Sequence, residues 1–273
     1  MFFWLYELPT AGMVALVAGF FVVATWLGIL FVRPVLRLVV RRDPAANDLI
    51  GAILASHGVY YGILLGLLAV ATYQNYSDAG TTVSNEAAAL AALYRDVSFY
   101  PVPVRDTLQG SLREYTRFVI EEAWPQQRRG IIPTGGTARI TVFQEALSAF
   151  EPATPGQELL HGEALRQFNH LIELRRLRLH SVTSGIPIVM WYVVGLGAVI
   201  NIILVLLLDT RLAAQFFLGG MLSFFIGTVI SMVAAMDYPF RGEVSISPAA
   251  FEIVYRDLMQ PGGAGGLGAQ EMP

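Results

Sequence analysis

Four stretches of apolar residues divide the chain: 11–32, 49–73, 186–208 and 213–236. A bilayer core of ~30 Å takes about 20 apolar residues in a helix, and each stretch reaches that length. The first contains no charged residue, the second only His57 as a titratable group apart from its tyrosines, and the third Asn201 as its strongly polar residue. Trp4, Tyr6, Trp26, Trp191, Tyr192 and Tyr238 lie near the ends, where interfacial aromatics collect. No Lys or Arg precedes the first stretch, and Arg33-Pro34 follows it. It therefore reads as a retained helix and not a cleaved leader. Only Asp209, Thr210, Arg211 and Leu212 join the last two stretches, which makes them antiparallel neighbours.

Between the two pairs, residues 74–185 change character. Leu90, Leu93, Tyr94 and Val97 recur at helical spacing, as do Leu108, Leu112, Tyr115 and Val119. No proline interrupts the passage from the second apolar stretch into this insert, so one long helix is expected to project from the bilayer. Pro101 and Pro103 end it, and Trp124-Pro125 is expected to end the next. A loop covers 128–137, and a shorter helix 138–150. Thr154-Pro155-Gly156-Gln157 then carries the signature of a capped helix start, with Thr at the cap and Gln three residues on. That helix runs to about Val182, where Gly185 and Pro187 punctuate the return to the membrane. The fold class is thus an all-α membrane protein. It has four transmembrane helices, a four-helix extramembrane domain inserted between the second and third, and a short polar segment over 237–260. The Gly-rich tail 261–273 has little apolar surface to bury and is expected to be disordered.

Composition agrees. Apolar residues make up 55% of the chain and charged residues 14%, against about 25% charged in soluble domains. The net charge of -3 shows no nucleic-acid footprint. Cysteine is absent, which removes disulfides and thiolate chemistry. All 18 basic residues are Arg, the composition expected of a GC-rich genome.

Small residues recur every four positions in two helices: Gly58, Gly62 and Gly66, then Gly219, Ser223, Gly227, Ser231 and Ala235. Residues four apart share a helix face. In lipid such stripes mark close helix packing, either within one chain or between several copies. Asn201 and His57 sit at membrane depth, where a polar group marks an interhelical hydrogen bond or, for His57, a pore position.

Enzyme chemistry is sparse, and no cofactor is implied. There is no P-loop and no GxSxG. His161, His170 and His180 lie nine and ten residues apart on one helix, more than two turns each, and cannot share a metal as local ligands. Arg128-Arg129 reads as a solvated loop. Arg175, Arg176, Arg178 and His180 cluster just before the third membrane helix, as a headgroup anchor or as an anion-attracting vestibule. Glu86, in an otherwise small and apolar run, is either exposed or paired inside the bundle with one of these arginines.

Asn85-Glu86-Ala87, Tyr115, Trp124-Pro125, Arg175 to Leu179, Gly185-Ile186-Pro187 with Trp191, and Asp237-Tyr238-Pro239-Phe240-Arg241-Gly242 together resemble the bacterial bestrophin-like family, over roughly residues 10–258. Asp237, Pro239, Phe240 and Gly242 resemble the turn after the fourth bestrophin helix, with one residue inserted. The acidic calcium-binding run of animal bestrophins has no match after Gly242.

The resemblance implies a homo-oligomer, pentameric by analogy, in a bacterial plasma membrane. It implies a pore lined by the second helix that passes small inorganic anions such as chloride. By position, the pore constriction would fall at His57, Tyr61, Leu65 and Leu68, with Glu86, Arg175 and Arg178 as vestibule or bundle ion pair. The alternative is a non-conducting scaffold or sensor whose insert binds a partner. The short-loop charge rule places residues 33–48 in the cytoplasm and the insert outside, whereas the resemblance places the insert inside. Our reading follows the charge rule.

Overall fold

The computed structural model describes residues 3–39 and 44–260. The Gly-rich tail and the side chains of Arg37, Arg41 and Arg42 lie outside the described residues. Within them the chain is helical, with no strand, and four helices are long and apolar enough to cross a membrane.

The helices are α1 (Thr10–Leu27), α2 (Arg33–Val39), α3 (Pro44–Asp96), α4 (Val104–Phe118), α5 (Trp124–Gln127), α6 (Gly135–Ser148), α7 (Pro155–Thr183), α8 (Ile188–Leu207), α9 (Leu212–Asp237) and α10 (Ala249–Val254). A π-turn, Gly28–Val32, carries α1 into α2. Helix α3 is uninterrupted over 53 residues, as the lack of a breaker between 74 and 96 implies. The chain forms two compact units.

The first unit contains α1, α2, α3 up to Tyr76, α8 and α9. Its closest packing is α9 on α1. A Cβ on Gly227 would lie 2.6 Å from the Ala18 Cα, so only glycine allows this backbone approach. Thr25 and Ser223 share a buried hydrogen bond of 2.6 Å one turn of small residues away. The α9 stripe is thus used within the chain. Arg33 is buried, donates to the Thr210 carbonyl at 2.7 Å and lies 4.0 Å from Asp209. With Asn47, which accepts from Asp209 N, it pins the α8–α9 turn.

The second unit holds α3 from Ser77, α4 to α7, Tyr238–Arg241 and the segment from Ser245 onward. Leu90, Leu93, Leu108, Leu112, Tyr115, Phe143 and Leu171 form its core. These are the positions that the helical spacing singles out in α3 and α4, joined by residues of α6 and α7. Here water on one side and core on the other write the helix face into the sequence.

Two expectations change. Trp124-Pro125 does not end its helix. The π-turn Val119–Ala123 precedes it, Pro125 falls in the first turn of α5, and the missing N–H costs nothing there. The segment after α9 is not merely polar, since Phe251 and Met259 are buried in the unit core. The start of α7 follows the capping pattern: Thr154 Oγ1 accepts from Gln157 N at 3.3 Å, while the Gln157 side chain accepts from Ala153 N at 2.8 Å.

Candidate functional site

The residues expected at a pore constriction are engaged inside the first unit. Tyr61, Leu65 and Leu68 are buried against Val194, Ala198, Ile226 and Ile230. The Tyr61 hydroxyl donates to the Val194 carbonyl at 2.9 Å, and His57 Nε2 lies 3.1 Å from the Gly197 carbonyl. The two rings stack, with centroids 5.5 Å apart. Gly197 makes this seam possible, because a Cβ there would stand 2.4 Å from the Tyr61 ring. This face of α3 therefore docks on α8. Tyr61, Leu65 and Leu68 are thus packed inside the first unit.

The opposite face of α3 is open among the described residues. Val59 and Ile63 are 61% and 55% exposed, and Leu67 and Val70 are comparably open. Gly58, Gly62 and Gly66 flank this face, and a Cβ built on any of them meets no atom within 4 Å. Further along, Gln74, Ser77, Thr81 and Ser84 are exposed and carry amide or hydroxyl groups. Thr81 and Ser84 return their O–H groups to the helix carbonyls of Ser77 and Gly80. Helix α3 carries Asp48, Asp78 and Glu86 but no arginine before Arg95.

Glu86 and Arg178 meet in the core of the second unit. Their side chains are 0% and 1% exposed. The guanidinium grips the carboxylate with two bonds, Nε to Oε2 at 2.6 Å and Nη2 to Oε1 at 3.1 Å. Nη1 donates to Gln127 Oε1 at 2.7 Å, and the Tyr115 hydroxyl donates to Glu86 Oε1 at 3.3 Å. Trp124 and Phe251 lie 5.5 and 5.7 Å from the guanidinium carbon. Burial alone would lower the affinity of Arg178 for its proton, but the Glu86 carboxylate outweighs it and holds the group above its ordinary range. Burial, with Glu86 alongside, also raises Tyr115.

Arg178 is thus paired with Glu86 inside the bundle. Arg175, one turn earlier on α7, is half-buried and donates to Thr137 Oγ1 at 3.3 Å. Gln127 was not foreseen, and only its place beside the Trp124-Pro125 motif could have flagged it.

The segment after α9 divides its work. In the first unit the buried Asp237 accepts from Ile186 N at 2.5 Å and so caps the start of the α8 segment. In the second unit Phe240 is fully buried against Trp124, and the Pro239 carbonyl accepts from Ile246 N at 2.9 Å. The Trp124 indole donates to the Ile246 carbonyl at 3.1 Å. Gly242 adopts φ +80°, a conformation that favours glycine.

A family model described as Bestrophin-like domain matches residues 19–251. No curated protein matches the chain. Among solved structures, a bacterial bestrophin homologue from Klebsiella pneumoniae superposes with a TM-score of 0.65 at 14% identity, covering 88% of this chain and 95% of that one. A point mutant of the Klebsiella homologue, with threonine in place of an isoleucine, gives 0.65 at 13%, with 90% and 99% covered. A structure described as a membrane protein, carrying a proline-to-alanine substitution, gives 0.65 at 13%, with 89% and 96% covered. At these identities the likeness is one of fold. The family match spans most of the chain, and with the four membrane helices, the long α3 and the turn after α9 it places this protein in the bestrophin-like family.

Proposed function

We propose that this chain assembles as a homo-oligomer, five copies by analogy with the family, into an ion channel whose pore is lined by the exposed face of α3. The carrying observation is the division of that helix. One face is bonded to α8, and the other leaves Val59, Ile63, Leu67 and Val70 exposed among the described residues. An apolar ring of this kind dewets and restricts passage, while the amide of Gln74 and the hydroxyl of Ser77 solvate an ion beyond it. Gly58, Gly62 and Gly66 give neighbouring copies room for close helix approach.

The permeant species we assign is a small inorganic anion such as chloride. Arg178 does not attract it, being paired with Glu86. Selection rests on the uncharged donors of the α3 face. The membrane we assign is the bacterial plasma membrane, with residues 33–48 cytoplasmic.

The test is single-channel conductance in planar bilayers. Ile63→Ala is expected to raise conductance several-fold, because the smaller side chain widens the ring. Leu65→Ala, on the docked face, is expected to change stability and leave conductance near wild type. The reverse pattern would put the pore on the Tyr61 face and overturn this assignment.

A further inference from the structure

The loop Arg128–Pro133 in the second unit combines features that conduction does not use. Ile131 and Ile132 are 54% and 41% exposed, and they follow directly on exposed Arg128 and Arg129. The base of the loop is fixed. Gly130 N donates to the Gln127 carbonyl at 2.8 Å and Ile131 N to the Gln126 carbonyl at 3.0 Å. Gln127 itself is held by Arg178. Gly130 has φ +75°, and a Cβ there would overlap the guanidinium of Arg241, which fills the space glycine leaves. Arg241 follows Asp237, the last residue of membrane helix α9, by four positions. Chain length alone keeps it within about 14 Å of that helix end.

Glu121, on the preceding π-turn, lies 3.9 Å from Arg117, while neither Arg128 nor Arg129 forms an ion pair among the described residues. Two apolar side chains beside two open guanidinium groups, on a loop packed against a residue four positions from a membrane helix, match an interface of acyl chains under phosphate headgroups.

We propose that this loop docks on an anionic lipid surface. Ile131 and Ile132 enter the acyl boundary, and Arg128 and Arg129 hold the headgroup phosphates. The occupant is the bilayer that carries the protein, and the inference stands whether or not the channel conducts.

The absence of native cysteine makes the test direct. A bimane label is placed by Ile131→Cys in the full chain, reconstituted into phosphatidylcholine vesicles with and without phosphatidylglycerol. Leu159→Cys provides the comparison. Leu159 is 78% exposed and stands 24 residues before the end of α7, about 36 Å along the helix.

Brominated acyl chains are expected to quench the label at position 131, and more strongly with phosphatidylglycerol present. Iodide should quench the label at 159. Arg128→Ser and Arg129→Ser should each weaken the preference for phosphatidylglycerol about fivefold. Iodide quenching at 131 equal to that at 159 would overturn the proposal. Shielding from both quenchers would do the same, because protein would then cover the loop. Lipid quenching indifferent to phosphatidylglycerol and to both arginines would overturn the recognition of anionic headgroups.

Discussion

Arg178 shows how far one residue's surroundings decide its role. A guanidinium near the membrane end of a helix could attract anions, but Glu86, Gln127 and two aromatic rings take up its donors and its face. Removing one partner of such a pair leaves a buried charge without compensation, at a cost of about 3–5 kcal/mol. Arg178→Met or Glu86→Gln should therefore lower the apparent melting temperature of the purified protein sharply. The double variant Glu86→Gln/Arg178→Met should lose less than the sum of the two, since no lone charge remains. Additive losses in thermal unfolding would show that the two groups act independently. This pair was half legible in the sequence. A glutamate in the run Asn85-Glu86-Ala87-Ala88-Ala89 stands out, but its partner lies 92 residues away and is one of several neighbouring arginines. Only the fold chooses Arg178 over Arg175.

At the scale of elements, two helices carry the same small-residue spacing and use it differently. On α9 the stripe receives α1, with Gly227 against the Ala18 backbone, while on α3 a Cβ on Gly58, Gly62 or Gly66 would meet no atom within 4 Å among the described residues. Gly227→Val should abolish stable folding, and Gly62→Val should leave the subunit folded but weaken assembly. Native mass spectrometry checks both: a folded monomer or mixed population for Gly62→Val, and little recoverable protein for Gly227→Val. An intact oligomer from Gly62→Val would show that this face is not an intersubunit contact.

The contrast also explains which parts of the fold the sequence revealed. The helices of the insert face water on one side, so their cores could be read from Leu90, Leu93, Leu108 and Leu112. In a bilayer the lipid is as apolar as the protein interior. Tyr61, Leu65 and Leu68 therefore look no different in sequence from Val59, Ile63 and Val70. The length and order of the membrane helices were legible, but their orientation about their own axes was not.

At the scale of the whole molecule, the family match and the four spanning helices make this a bestrophin-like membrane protein. Conduction through the open face of α3 is the central claim, and the reversal potential tests it most directly. Purified oligomer in planar bilayers under a potassium chloride gradient should give a potential close to the chloride equilibrium value. A potential at the potassium value would contradict the anion assignment. Electrical silence from a folded oligomer would contradict the channel itself and leave a scaffold or sensor in its place.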